Sequence, residues 1–486
     1  MIEKYIERNI LREVYLCEQL FEFQEISITK TAKLLGVTTP TLLKDLAKLV
    51  NSLEYCIEEH KRERFVYKII FKKGIALSEL TQFLYAQSYF FKFLNYYFQG
   101  NFTSVEIANL EYISLSKVYM SKKILLDFFK ENNYLKYKEV VIPEFDTRNI
   151  LLALVRYINW EGYERKEPEI IQASLQLIDH VETHFFKRRY SDDEKFLIIR
   201  GIEIALGRKD IPLHFSSTDK KAAESKSLFQ LVRQGLKKQN EVFDLQKDDV
   251  YYIFYLFNSR NYTNKNMDLL KKDIEAVYKN FVFNNPLLNE LMSRLIKKTG
   301  INVTNDFLFK KSFLQFVRTF WADGQLFLPE KIYLLTEEEE QFYEHILKVL
   351  NRWKKKNQLK IRWNHNLVRM FVKNLLLSTR QVTKKQHQEF FIVAENSIKQ
   401  LFYRSQFIDC LGENTIEINS GIFRSLDELP DEHSSTNMRV VLCDIAAYQP
   451  KFETPKTVIY PISLKKTRNQ LQQIAQELNL IKQSNQ

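Results

Sequence analysis

The stretch Thr31-Ala32-Lys33-Leu34-Leu35-Gly36-Val37-Thr38-Thr39-Pro40-Thr41-Leu42 lies without a gap over a second one, Ile107-Ala108-Asn109-Leu110-Glu111-Tyr112-Ile113-Ser114-Leu115-Ser116-Lys117-Val118. Each reads as a short helix, a tight turn and the start of a longer helix. Ala32 and Ala108 fall where two crossing helices leave room only for a small side chain. Val37, Ile113, Leu42 and Val118 fall at the apolar positions that hold the second helix. The spacing predicts a helix-turn-helix, present twice, of the kind that reads duplex DNA.

In the first copy Ser27 is the expected N-cap of a helix ending at Leu35, and Gly36 supplies a left-handed residue after it. Thr38 or Thr39 caps the next helix, with Pro40 in its first turn. Leu42, Leu46, Leu49 and Leu53 recur at helical spacing as a core face, leaving Thr41, Lys44, Asp45 and Lys48 for the opposite face, where small polar and cationic side chains meet the major groove. An ordinary amphipathic surface helix would show the same leucine stripe, but not the Ala32 and Gly36 pattern before it. Downstream, Tyr55 to Ile57 and Phe65 to Phe71 read as two strands joined by residues 60–64. Such a cationic hairpin is a wing, with Lys61, Arg62 and Arg64 placed for phosphate or the minor groove; a solvated β-turn with incidental charge is the alternative.

The second copy takes Thr103 or Ser104 as cap. Its long helix, Ser114 to Glu131, turns Val118, Leu125, Phe128 and Phe129 inward and leaves Ser114, Ser116, Lys117, Tyr119, Lys122 and Lys123 for DNA. Tyr112 stands at the turn glycine's position, and Lys136, Tyr137 and Lys138 before Val140 to Ile142 suggest a second wing. Phe83 to Tyr97 reads as helical core between the copies rather than a base-stacking surface.

A chain of 486 residues, with 45% hydrophobic residues and only 11 Gly and 10 Pro, suits several mainly helical domains. The net charge of +12 fits a polyanionic partner, although a merely Lys-rich soluble protein would carry the same charge. Cys17, Cys56, Cys410 and Cys443 form no CxxC pair and no zinc spacing, so buried thiols in a reducing cytoplasm are expected, with no metal and no cofactor. The amino terminus lacks a signal peptide's apolar core, and no run approaches the ~18 to 20 apolar residues of a membrane span, which predicts a cytoplasmic chain with no membrane partner.

Amphipathic helical segments fill residues 148–385: Asn149 to Trp160, Glu169 to Phe186, Asp192 to Leu206, Asp248 to Asn258, Met267 to Asn280, Leu287 to Lys298 and Glu337 to Lys354. The polar stretch Ser216 to Ser227 reads as a loop. The last hundred residues alternate short apolar strands (Phe390 to Val393, Thr415 to Ile418, Arg439 to Leu442, Thr457 to Tyr460) with helices, including Ser397 to Phe407, a second short helix, and Thr467 to Ile481. This predicts a small α/β sandwich with a parallel sheet. No Gly-rich phosphate loop follows any strand.

In order and length this arrangement resembles the Mga/AtxA-like global virulence regulators of Gram-positive bacteria, with motif residues carrying the likeness in the first ~140 positions and architecture carrying the rest. The resemblance implies a mainly α, multidomain chain: a winged helix-turn-helix (1–74), a second helix-turn-helix (75–147), two helical phosphotransferase-system regulation domains, or PRDs (148–284 and 285–387), and an EIIB-like α/β domain (388–486). It further implies a non-enzymatic, dimeric or higher oligomeric transcription factor, binding double-stranded DNA, sensing carbohydrate status through histidine phosphorylation by a phosphocarrier protein, and meeting RNA polymerase. His180, in Leu177-Ile178-Asp179-His180-Val181, is similar to the PRD phosphoacceptor segment, and His184 lies one turn later. His214, His345 and His365 are further candidates, though a helix-borne histidine is more often structural. A phosphoryl group would add nearly two negative charges and re-pair with Arg or Lys.

One departure is informative. EIIB domains carry a nucleophilic cysteine after the first strand, where this chain continues Ala394-Glu395-Asn396-Ser397; the expected domain keeps the fold and loses phosphotransfer. That absence and the paired helix-turn-helix argue against a phosphotransferase-system phosphocarrier or enzyme. An RNA-binding PRD antiterminator would begin with a small β-rich domain, whereas this amino terminus is helical.

Overall fold

A computed structural model of the protein describes residues 2–100, 102–137, 139–163, 167–299, 307–328, 333–378, 389–411, 417–430, 439–454 and 457–477. The chain is mainly helical with small sheets. Helix α1 (Arg8–Phe23) ends at Gln24, left-handed with φ 58°. The short strand β1 (Glu25–Ser27) follows, and the Ser27 hydroxyl accepts the Lys30 N–H to start α2 (Ile28–Leu35). Next come α3 (Thr39–Ser52), β2 (Ile57–Arg62) and β3 (Val66–Phe71), the strands pairing antiparallel in the order β1-β3-β2.

Strand β2 corrects the expected boundaries. It runs to Arg62, with Lys61 opposite Lys68 and Arg62 opposite Tyr67, while Tyr55 lies in a single 3-10 turn. The ladder's backbone bonds carry a charged sequence that has weak strand propensity, as edge strands permit.

Helices α4 (Leu77–Tyr85) and α5 (Tyr89–Gln99) bring Phe90, Phe91, Phe93 and Leu94 into the core, as expected for the segment between the copies. They lead to α6 (Ser104–Leu110), α7 (Leu115–Glu131) and a hairpin of β4 (Leu135–Lys136) with β5 (Glu139–Val140). Lys138 lies outside the described residues.

The middle of the chain contains α8 (Glu144–Ile158), α9 (Pro168–His184), β6 (Arg188–Arg189), α10 (Asp192–Gly207), α11 (Ser217–Glu224), α12 (Ser227–Lys238) and α13 (Asp249–Ser259). Helix α11 replaces the expected loop: the Ser216 hydroxyl accepts the Asp219 N–H, and Ala223 is buried beneath the turn that polar neighbours cover. Buried Arg148 joins the first and last of these helices, donating to Asp249 at 2.6 Å and to Glu144 at 2.8 Å. Strand β7 (Thr263–Asn264) pairs with β6. A second core is built by α14 (Met267–Val277), α15 (Pro286–Thr299), α16 (Phe307–Val317), α17 (Glu337–Lys356) and α18 (His365–Ser378), centred on Phe309, Phe313, Phe316, Trp353 and Phe371.

The carboxyl-terminal part comprises β8 (Glu389–Val393), α19 (Ser397–Leu411), β9 (Glu417–Ile418), β10 (Arg439–Asp444), β11 (Thr457–Ile462) and α20 (Thr467–Glu477). All three strand pairings are parallel, in the order β9-β8-β10-β11. One face buries Phe390, Ile392, Val440 and Leu442, the other Phe391, Val393, Val441 and Cys443, so both faces are covered and the strands read as unbroken apolar runs. Thr415 and Ile416 of the second expected strand and residues 478–481 of the last expected helix lie outside the described residues; in place of the expected second short helix stand 3-10 turns such as Leu426–Glu428. Cys410 sits inside the last turn of α19 and is half-buried, in place of the expected buried thiol; the other three cysteines are buried thiols.

This carboxyl-terminal sheet contacts α1. Lys399 Nζ lies 2.6 Å from Asp444, 3.2 Å from Glu395 and 4.0 Å from Glu22 of α1. Lys465 and Lys466 reach Gln19 and Glu25. Among the described residues no helix is long and apolar enough to cross a membrane.

Candidate nucleic-acid interface

The two repeated helix pairs close their turns with the same bonds. The Val37 N–H donates to the Ala32 carbonyl at 3.0 Å, and the Ile113 N–H donates to the Ala108 carbonyl at 3.0 Å. The Thr38 hydroxyl accepts the Thr41 N–H at 3.3 Å; the Ser114 hydroxyl accepts the Lys117 N–H at 3.3 Å. Ala32, Ala108, Leu42 and Val118 are buried in both crossings. Gly36 takes φ 63°, and at the matching position Tyr112 takes φ 52° with its side chain in solvent, so the turn imposes its backbone on a residue that lacks glycine's freedom.

On α3 the exposed face is Pro40, Lys44, Ala47, Lys48 and Asn51, with Thr39 and Thr41 half-buried at its edge. Thr38 is exposed, and its hydroxyl lies 2.9 Å from that of Thr41. Lys44 is exposed and makes no ion pair among the described residues. One expectation is corrected. Asp45 is not on the outer face: it is buried, with Arg12 Nε 2.6 Å away, and this hydrogen bond first, with the charges of Asp45 and Glu13, raises the guanidinium's pKa above its ordinary value against the opposing effect of burial. Lys48 does reach solvent, but its ammonium lies 2.7 Å from buried Glu13. Helix α1 packs against this flank of α3, which turns both residues into supports.

The β2–β3 hairpin presents residues 58–65 to solvent. Lys61 lies 3.5 Å from Glu63, and Arg64 covers the Phe65 ring at 5.0 Å, while Arg62 is exposed on the strand. Lys61 and Lys68 hold the exposed Glu63 carboxyl below the usual carboxylate range, Lys68 contributing most. Two exposed cations on α2, Lys30 and Lys33, extend the basic surface; their helical spacing on the face opposite Ile28, Thr31 and Ala32 is the signal that would have found them.

On α7, Ser114, Ser116, Tyr119 and Lys123 are exposed. Lys117 is half-buried, its ammonium 4.8 Å over the Tyr89 ring, and Lys122 donates to Ser104 at 2.8 Å, so both also tie α7 to its own neighbours. Exposed Leu115 and Met120 make this face less cationic than that of α3. Glu111, reached by both Lys92 and Tyr96, braces the turn from α5.

The histidines separate clearly. His180 and His184 meet with ring centroids 4.5 Å apart, and His184 Nδ1 donates to the His180 carbonyl at 2.8 Å. His180 is half-buried against α12, where a side chain at Gly235 would press on Leu177 and on the His180 ring. Burial first, then Lys238 and His184, lowers its pKa, and its Nε2 has no hydrogen-bond partner. His365 is half-buried beside the Tyr343 hydroxyl, with its pKa lowered chiefly by burial. His184, His214 and His345 are exposed. Comparison of the chain with protein-family models and with curated proteins finds no match.

Proposed function

We propose that the protein is a duplex-DNA-binding transcriptional regulator of the Mga/AtxA-like kind, reading DNA with two helix-turn-helix modules, α2–α3 and α6–α7. The observation that carries this reading is the repeated turn: the same backbone bond from Val37 to Ala32 and from Ile113 to Ala108, each followed by a hydroxyl-capped helix with polar and cationic residues outward. The exposed hairpin after α3 acts as the wing, setting register on phosphates while Thr41 and Lys44 face base edges.

In this reading the helical middle supplies the two PRD-like domains, where His180 is the favoured phosphoacceptor. Its neutral imidazole has an unpartnered Nε2, and Lys238 stands near enough to act on its charge. The parallel sheet, with its first strand in second place, supplies the EIIB-like domain, lacking a cysteine in the 394–397 loop. The chain works as a cytoplasmic homodimer or higher oligomer.

Fluorescence anisotropy of labelled duplex DNA against salt tests this reading, comparing the intact chain with a folded Lys44→Ala/Lys117→Ala variant. Binding should weaken steeply with salt, log K falling by about 0.9 per phosphate contacted for each unit of log salt, and the variant should lose affinity. Preference for RNA over duplex DNA, or no duplex binding at low salt, would overturn it.

A further inference from the structure

Lys311 of α16 is only 5% exposed, yet nothing among the described residues accepts a hydrogen bond from its ammonium, which lies 3.7 Å over the Tyr262 ring. Two turns further on, Arg318 points an Nε that is shut off from solvent and likewise without a partner, while its Nη2 donates to Asn261 at 2.8 Å. Both side chains line one cleft with Asn261, Tyr262, Gln315 and residues 396–398 at the start of α19. The cleft is partly open and holds about 220 Å³ of empty space, its solvent-facing side included.

The surrounding charges do not balance. Arg188 is matched by Asp273 at 2.6 Å, and Arg260 faces Glu194 at 3.7 Å, which leaves Lys311 and Arg318 as an excess of positive charge. The positive end of the α19 dipole adds to that excess. Burial first pushes both the Lys311 ammonium and the Arg318 guanidinium below their ordinary pKa values, and the attraction of Asp273 for Lys311 and of Tyr262 and Glu194 for Arg318 does not offset it. An unpaired buried charge is costly, and an anion is the group that would relieve it.

We propose that this cleft binds a small phosphate-type oxyanion, its oxygens directed toward Lys311 and Arg318 beside the α19 amino terminus. The site joins three separate segments: the α13–β7 connection, the end of α16, and the loop after β8. Free phosphate and the phosphoryl group of a small monoester offer the same chemistry. A bound anion would lock these segments together.

The test is thermal unfolding of the intact chain at fixed ionic strength, titrated with inorganic phosphate, with glycerol phosphate, and with chloride. The midpoint should rise with phosphate, as binding to the native state requires. A response to both phosphate compounds identifies a terminal phosphoryl group as the ligand; a response to inorganic phosphate alone identifies the free ion. Lys311→Met keeps the side chain's length without its charge, and should bind phosphate at least about tenfold more weakly, the loss of one charge-assisted hydrogen bond. Its midpoint without phosphate should match or exceed that of the natural chain. Arg318→Gln should likewise weaken the response. No phosphate response, an equal response to chloride, or an undiminished response in both variants would overturn the proposal.

Discussion

Arg12 grips Asp45 with two nitrogens, Nε 2.6 Å from Oδ2 and Nη2 3.1 Å from Oδ1, and so binds α1 to the helix that carries Thr41 and Lys44. Asp45 is buried, and a guanidinium matched to a carboxylate in this fork fixes direction as well as distance. Asp45→Ala leaves Arg12 without its acceptor and should cost about 3 kcal/mol, the low end for breaking a buried pair. Urea unfolding checks this. A loss below about 1 kcal/mol would mean that the pair behaves as a surface ion pair.

The two turns make opposite predictions for glycine. A Cβ at Gly36 would touch nothing within 4 Å, so Gly36→Ala isolates the backbone cost of φ 63° and should destabilise by about 1 kcal/mol. Tyr112 is 95% exposed at φ 52°, so Tyr112→Gly gives up little packing and relieves the same strain. It should raise stability by up to about 1 kcal/mol. Denaturation midpoints of the two variants should therefore move in opposite directions.

These turns were legible in the sequence because a tight turn leaves local marks: a small residue at the crossing, a hydroxyl cap, an apolar anchor. The parallel strands were legible for a similar reason, since burial on both faces leaves apolar runs such as Phe390 to Val393. What stayed hidden was set by distant packing. Nothing near Asp45 or Lys48 announces that Arg12 and Glu13 will meet them, and helical spacing alone puts both on an outer face that α1 partly covers. Strand β1 is three residues long, too short for alternation to register. The Lys311 cleft draws on three remote segments, and no window of sequence contains them together.

His180 should make stability depend on pH in a defined direction. Its folded pKa lies below the ordinary 6.5, because burial and the charges of Lys238 and His184 oppose protonation. Below pH 6.5 the unfolded chain therefore takes up a proton that the native chain refuses, and stability falls as pH drops. His180→Gln should flatten that fall. Urea midpoints between about pH 7.5 and about pH 5 measure it. An unchanged slope in the variant would show that His180 titrates as it does in the unfolded chain.

If the chain reads DNA as proposed, α3 and the β2–β3 hairpin should fail differently when altered. Lys44 lies on the exposed face of a capped helix and Thr41 half-buried at its edge, where a good base contact discriminates by about 1 to 3 kcal/mol. Thr41→Ala and Lys44→Ala should therefore weaken preferred sites more than unrelated DNA. Lys61, Arg62 and Arg64 lie on an exposed hairpin beside Glu63, in a position to meet phosphates, which all sequences share. Alanine at each should weaken every duplex alike and reduce the salt slope by about 1 for each phosphate left unneutralised. Anisotropy titrations at several salt concentrations, on a selected site and on scrambled duplex, separate the two patterns. If Thr41→Ala with Lys44→Ala lowers affinity equally on both duplexes, α3 does not read bases directly, and any site preference comes from DNA shape or from the second module, where Ser116, Tyr119 and Lys123 are the exposed residues of α7.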